Sequence, residues 1–417
     1  MPQFRPFKGI RPTEETVQDF VTKSVDRYSQ TELLANIKRR SHSFLHVIEP
    51  TWDQSIEKME NRFTKVRENL ESFVDQKILV QDKTSFYIYQ VIQPNGKQTK
   101  GLLGLVNIND YKVNSIKKHE ETIHRRVDLF ANYLKGSHFH AEPVLLTYKP
   151  AQRVDLLLET EMKRKPTLKM VDEDGIEHLL WRVDNRLNLK QFKDSIERLD
   201  DLYIADGHHR MASSAVYTDH IAEQSKGKVD GDEIFNYTLA MLVSHDELII
   251  NDYNRVIRDL NGLSKEDFIQ KLEENFEVIP KGADLFVPTK KHHILMYLEN
   301  EFYSLYARPT LDNIEGLKEL DTYIFEENLL KPILDIHDTR NDKRIGFVHG
   351  TKDRIGIEKL KAKVDSGEFV VGFAFYPVSV KDLKLISDLG LKMPPKSTYI
   401  EPKPLSGFAV FDLKDEL

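Results

Sequence analysis

Between Leu202 and Ala212 the chain reads Leu-Tyr-Ile-Ala-Asp-Gly-His-His-Arg-Met-Ala, a short apolar strand that passes through a glycine into a helix. No other stretch constrains the fold as much, because a strand must end and a helix must begin on either side of Gly207. A helix start leaves backbone N–H groups without intrahelical partners and carries the positive end of the helix dipole, so an anion placed there meets several donors at once. Gly207 lets the backbone approach closely. Arg210 can add a planar two-pronged contact, the imidazoles of His208 and His209 can donate or transfer protons, and Asp206 can hold a divalent metal or take a proton. Asp-Gly is also a common turn, and His-Arg pairs decorate solvated helix starts. Neither a Gly-x4-Gly-Lys-Ser/Thr loop nor a Gly-x-Gly-x-x-Gly turn after a strand occurs, so any nucleotide would be held by another device.

A chain of 417 residues is long for one core. It is read as an N-terminal α/β lobe over 1–150, a core unit carrying the turn over 151–228 and a C-terminal α/β lobe over 229–417. The expected class is α+β, with mixed sheets and flanking helices. Hydrophobic residues at 40% and charged residues at 30% match an ordinary globular chain, and no apolar run is long enough to span a bilayer. A net charge of -7 provides no basic field for nucleic acid, so a small-molecule partner fits better. With 0 cysteines, disulfides, thiolate nucleophiles and cysteine-ligated metals are excluded, in keeping with a cytoplasmic location. Met1-Pro2-Gln3-Phe4-Arg5-Pro6-Phe7 lacks a signal-peptide apolar core. Lys414-Asp415-Glu416-Leu417 is therefore read as a coincidence at an acidic tail rather than a retention signal.

Ser29-Gln30-Thr31-Glu32 has capping-box spacing and opens a short helix through Ile37. Trp52, Ile56, Met59, Phe63, Val66, Leu70 and Phe73 line one face of a longer helix. Ser85–Val91 and Leu102–Ile108 read as strands of a hairpin through Pro94-Asn95-Gly96. Ile116, Ile123, Val127, Phe130 and Leu134 mark a helix with His119 and Glu120 near its start. Strands are expected over Pro143–Tyr148, Val154–Leu158, Thr167–Val171 and Ile176–Val183, and a helix around Phe192, Ile196 and Leu199. Residues 226–232 form a flexible connector before the strand Tyr237–Val243. Beyond it, helices are expected near Phe268–Phe276, Tyr323–Leu334 and Ile357–Val364, and strands near His293–Tyr297, Ile345–Val348 and Phe369–Phe375.

Other candidates are weaker. His119-Glu120-Glu121-Thr122-Ile123-His124 resembles a zinc-protease motif, but its histidines are five apart where the motif needs four, which on a helix sets them about 140° apart. Glu120 alone can serve as a general acid or base. Ser41-His42-Ser43-Phe44-Leu45-His46-Val47 clusters hydroxyls and imidazoles beside an expected strand, from which Ser43 and His46 are candidate substrate contacts. Met393-Pro394-Pro395-Lys396-Ser397-Thr398-Tyr399 puts a cation and hydroxyls on a proline-stiffened loop, where Lys396, Ser397 and Thr398 suit an anionic or hydroxylated ligand, though a plain surface connector would read the same.

The strings PFKGIRP, SFLHVIEP, HEET, LYIADGHHRMASS, GFAFYPVSV and MPPKSTYIEPK, in this order from near Pro6 to about Gly407, resemble the large bacterial group catalogued as domain-of-unknown-function family ten-fifteen. ADGHHR and MPPKSTY are the specific parts. The Asp-Gly-His-His-Arg turn is also similar to the anion-binding box of the ParB/sulfiredoxin-like superfamily, whose members include kinases that phosphorylate free L-serine. The resemblance implies a ParB/sulfiredoxin-like core and a Mg2+-dependent small-molecule kinase, with ATP or another phosphoryl donor and free L-serine as acceptor. By position, Gly207, His208, His209 and Arg210 would cradle donor phosphates. Asp206 would hold magnesium or assist the acceptor hydroxyl, with Asp206, Glu120 and His209 as catalytic candidates and His119 among the substrate contacts. Phosphoryl transfer asks mainly for positioning and charge neutralisation, which a helix start, an Arg and a metal supply without a covalent nucleophile. The chain departs from the group in carrying Asn254-Arg255 where His-Arg is usual, and Val25-Asp26-Arg27-Tyr28 where a Tyr-Asp pair is usual. A ParB-like regulatory module is the alternative, and acidic net charge argues against it. A hydrolase using His208 and His209 is disfavoured, because adjacent histidines seldom face one ion.

Overall fold

The computed structural model describes residues 2–48, 59–225, 231–308, 316–351 and 353–415. Contacts divide them into two units: Met1–Lys117, Thr122–Leu248 and Pro402–Leu417 make the first, Lys118–Glu121 and Ile249–Glu401 the second. The expected boundary at 150 falls within the first unit, and the one at 228 lies outside the described residues.

The first unit is built on a nine-stranded mixed sheet. Its strands in chain order are β1 (Phe4–Arg5), β2 (Phe86–Ile92), β3 (Gln98–Asn107), β4 (Ile116–Lys117), β5 (Val144–Tyr148), β6 (Leu168–Val171), β7 (Glu177–Val183), β8 (Leu202–Asp206) and β9 (Tyr237–Ser244). They lie in the order β4-β8-β5-β9-β3-β2-β7-β6, with β1 beside β3. β8 runs parallel to β4 and β9 parallel to β5, and the other pairs are antiparallel. Central strands such as β2 and β9 are buried along almost their whole length, as strands covered on both faces must be. Every second residue, including Phe86 and Ile88, Leu202 and Ile204, and Ala240 and Leu242, packs into one core with Val154, Leu158, Phe192 and Ile196 from the covering helices.

Local chemistry explains several boundaries. The β2–β3 hairpin closes through Gly96 at φ +83° and β6–β7 through Gly175 at φ +75°, both in the left-handed region that glycine tolerates. The helix α1 (Gln30–Arg39) opens on the expected Ser29/Glu32 capping box. Next come α2 (Met59–Asp75), α3 (His124–Ser137), α4 (Gln152–Met162), α5 (Arg186–Ile196) and α6 (His208–Gln224). Trp52 and Ile56 of the apolar stripe, and residues 226–230 of the connector, lie outside the described residues.

Three expectations are overturned. Val154–Leu158 is not a strand but the first half of α4; Val154, Leu158 and Glu161 are buried at steps of four and three while Leu156 is 63% exposed, so the helical period outweighs the short apolar run. The helix expected from Ile116 starts only at His124: Ile116 is fully buried in β4, parallel to β8, and its match to the helical spacing is accidental. His119 and Glu120 therefore precede the helix, and the angular argument about His119 and His124 does not apply to them. Ser41–Val47 flanks no strand, because Leu45–Ile48 is a helical turn.

The second unit holds a six-stranded antiparallel sheet in the order β11-β13-β12-β15-β10-β14. Its strands are β10 (Tyr253–Ile257), β11 (Phe276–Gly282), β12 (His293–Leu298), β13 (Glu301–Ala307), β14 (Ile345–His349) and β15 (Val371–Ala374). Alternate residues of β12 face opposite cores. Ile294, Met296 and Leu298 pack with Phe268 and Leu272 of α7 (Lys265–Asn275), whereas Leu295 and Tyr297 pack with Ile357, Leu360 and Val364 of a later helix, Arg354–Asp365. The helix expected over Tyr323–Leu334 is α-helical over Asp321–Phe325 and π-helical over Glu326–Leu330. Among the described residues no helix is long and apolar enough to cross a membrane.

Candidate functional site

The sequence from Leu202 to Ala212 folds as its residue types dictate. β8 ends at Asp206, Gly207 turns the chain with φ +90°, and α6 begins at His208. Glycine is required here on two counts. The left-handed φ strains any other residue, and a Cβ would lie 3.2 Å from Arg210 Nη1 and 3.4 Å from Val144 Cα on the neighbouring β5. The backbone N–H groups of the first turn of this 17-residue helix project beyond the strand end, where the helix dipole is positive.

The side chains around the turn form charge pairs. Arg210 Nη2 lies 2.6 Å from Glu142 Oε2, and its Nη1 donates to Pro143 O at 2.7 Å. The Ser406 hydroxyl donates to the other oxygen of Glu142. Asp206 Oδ1 lies 2.9 Å from Lys403 Nζ. His209 Nε2 accepts from Ile123 N at 3.0 Å, so a neutral ring carries its proton on Nδ1 and offers that N–H as a donor. His208 is buried. Deeper in, the Ser213 and Ser214 hydroxyls donate to Arg210 O, and Ser214 continues through Thr238 towards buried His140. Burial alone holds His140 far below the usual imidazole range, to about 3.

Asp206, Gly207, His208, His209 and Arg210 thus sit together in the first unit, and the structure adds Glu142, Lys403 and Ser406, to which the sequence reading assigned no role. Lys403 belongs to the MPPKSTYIEPK string, and Glu142 precedes β5 in His-Ala-Glu-Pro; only the turn's ion pairs single them out. Arg210 was expected to grip phosphate with both prongs, yet both Nη atoms hold Glu142 and Pro143 here. A phosphate would have to compete with Glu142 for them.

The remaining expected residues lie elsewhere. Ser43 and His46 are engaged in their own turn: Ser43 Oγ accepts from Leu45 N, and His46 Nε2 lies 2.9 Å from Arg40 O. His119 and Glu120 belong to the 118–121 segment of the second unit, where His119 O accepts from Met393 N at 2.8 Å and Lys118 O from Lys392 Nζ at 3.1 Å. That segment therefore lies against the start of the Met393–Tyr399 loop. In the loop Ser397 is buried, donating to Pro394 O and lying 2.8 Å from the Thr322 hydroxyl, whereas Lys396 is exposed and Thr398 half-buried. Among the described residues no group of three or more His, Asp or Glu gathers to hold a metal. A Mg2+ ion needs less, taking one or two carboxylates beside phosphate oxygens and water. Asp206, already facing an ammonium, has the right donor chemistry for that.

A family model described as "Protein of unknown function (DUF1015)" matches residues 4–323. No curated protein matches the chain. Among solved structures, the chain is similar to free serine kinase in complex with AMP, at 15% identity and a TM-score of 0.36, over 74% of this chain and 88% of that one. A variant of free serine kinase in complex with ADP is similar at 14% identity and a TM-score of 0.38, with the same coverage. A conserved hypothetical protein from Pyrococcus furiosus is similar at 15% identity and a TM-score of 0.37, over 75% of this chain and 96% of that one.

Proposed function

The chain belongs to the DUF1015 family, and from that premise we propose that it is a small-molecule kinase whose donor phosphates sit at the Gly207 turn and whose acceptor is the hydroxyl of free L-serine. The observation that carries the proposal is the turn itself, a strand end and a long helix start joined by a positive-φ glycine with Arg210 in the first helical turn. Its core would be of the ParB/sulfiredoxin-like kind implied by the Asp-Gly-His-His-Arg string.

On this reading the backbone N–H groups of His208, His209 and Arg210 receive phosphate oxygens. His209 donates from Nδ1, its Nε2 being held by Ile123 N. Arg210 exchanges Glu142 for phosphate when the donor binds, and Glu142 keeps the hydrogen bond it accepts from Ser406. Magnesium, when bound, neutralises phosphate charge, and Asp206 is the carboxylate that would hold it. In the transfer the acceptor oxygen forms a bond to the terminal phosphorus, the bridging P–O bond of the donor breaks, and the hydroxyl proton passes to a carboxylate.

Phosphorus NMR with ATP, magnesium and L-serine tests the proposal. A phosphomonoester signal that requires both acceptor and protein is expected. It should vanish in Arg210→Ala and slow in Asp206→Asn with little change in donor affinity. Donor binding without product would move the protein to the regulatory reading, and unchanged turnover in both variants would remove the turn from the chemistry.

A further inference from the structure

A buried charge in the second unit has no counterpart in the kinase reading. Arg255 lies mid-strand on β10, between Phe347 of β14 and Phe373 of β15, and is 3% exposed. Its guanidinium carbon is 5.4 Å and 5.2 Å from the ring centres of Phe347 and Phe375. Nη1 donates to Tyr253 O, and Nη2 to Pro395 O at 2.9 Å. Among the described residues no carboxylate oxygen lies within 4.0 Å of it. Burial lowers its acidity range only to about 10, so the charge persists at neutral pH. The Glu326 carboxylate acts on it only through space, without a direct ion pair; holding a buried ion that way is costly, and an apolar side chain of similar length would fill the same space without that penalty. A carbonyl dipole is a weak partner for a group whose flat fork matches the paired oxygens of a carboxylate or phosphate.

The carbonyl on Nη2 belongs to a strained turn. Lys396, the next residue, has φ +59°, a conformation lysine rarely adopts, and its Nζ stands 5.3 Å from the Tyr253 ring centre. Among the described residues Lys396 too has no carboxylate within 4.0 Å. The turn is held in place by Ser397, through Pro394 O at 2.7 Å and the Thr322 hydroxyl at 2.8 Å. Two cations without a direct ion pair, one buried and one exposed, therefore meet at a strained peptide that occupies the fork of the buried one. Beside them, π-helical Glu326 is pushed up by burial, and π turns recur at functional sites.

We propose that the second unit carries its own oxyanion site, in which a small carboxylate- or phosphate-bearing ligand replaces the Pro395 carbonyl on Arg255 and is met by Lys396. The inference stands apart from the Gly207 turn, and a single variant set separates the two. Orthophosphate and succinate are titrated in turn by calorimetry into the full chain carrying Arg210→Ala, so that the Gly207 turn does not contribute, to distinguish phosphate from carboxylate ligands. Saturable binding of at least one is expected in that background, lost when Arg255→Met is added and weakened about tenfold when Lys396→Gln is added. Without ligand, Arg255→Met should melt no lower than the parent, whereas an arginine serving only as a strut would lower the midpoint on removal. Should Arg255→Met not fold, the exposed Lys396→Gln carries the test. In that background, absence of binding by both anions, binding that survives Arg255→Met, or undiminished binding with Lys396→Gln would each overturn the proposal.

Discussion

At the scale of single residues, Gly207 decides the site. Its φ of +90° strains any other residue, and a methyl group there would push Arg210 Nη1 from a 3.2 Å contact. Gly207→Ala is expected to destabilise the protein by about 1–3 kcal/mol and to loosen the Arg210–Glu142 pair, read as a lower urea midpoint and weaker ADP binding. An unchanged midpoint would mean that the turn relaxes without consequence. The sequence made this residue legible because strand, glycine and helix each carry a local signature. Glu142 and Lys403 were not legible, since an ion pair between residues 68 positions apart, such as Glu142 and Arg210, or nearly 200 apart, such as Asp206 and Lys403, leaves no trace in local pattern.

At the scale of elements, caps and turns were read well, and apolar runs less well. The Ser29/Glu32 capping box, the Gly96 hairpin and the β8–α6 turn formed where their chemistry placed them. Leu156-Leu157-Leu158 misled because three adjacent leucines suit a strand or a helix, and only the burial of Val154 and Leu158 against the sheet settles which. The helix begun too early at Ile116 failed for the opposite reason, as a β pairing captured a residue that happened to fit the helical period. Local chemistry makes its own prediction at α5, where the Asn185 side chain accepts from Leu187 N and Asn188 N. Asn185→Ala should lower stability by about 1 kcal/mol in chemical denaturation while leaving ADP affinity intact, and a change in that affinity would contradict a purely capping role.

At the scale of the whole molecule, the two units carry buried titratable groups of opposite sense. In the first, His140 stays neutral until about pH 3 whereas in the unfolded chain it ionises near 6.5. Its contribution is full above about pH 6.5 and falls by about 1.4 kcal/mol per pH unit below that, as the unfolded state takes up the proton. In the second, burial pushes Asp321 up to about 7, while its Oδ1 accepts from His292 N at 2.6 Å. Its contribution is full below about pH 4 and is lost as the pH rises towards 7. Hydrogen exchange between pH 4.5 and 6.5 should therefore show acid weakening the His140 region and strengthening the Asp321 region. His140→Gln and Asp321→Asn should each flatten the corresponding trend, and parallel trends in the parent would refute these assignments. The central claim, that the Gly207 turn receives donor phosphate in competition with Glu142, is tested most directly by calorimetric titration of ADP and magnesium into the full chain, Arg210→Ala and Glu142→Gln. The account predicts saturable binding by the parent, roughly 10- to 100-fold weaker binding by Arg210→Ala and no loss in Glu142→Gln. Equal affinity in the parent and Arg210→Ala, or no binding by the parent, would contradict it.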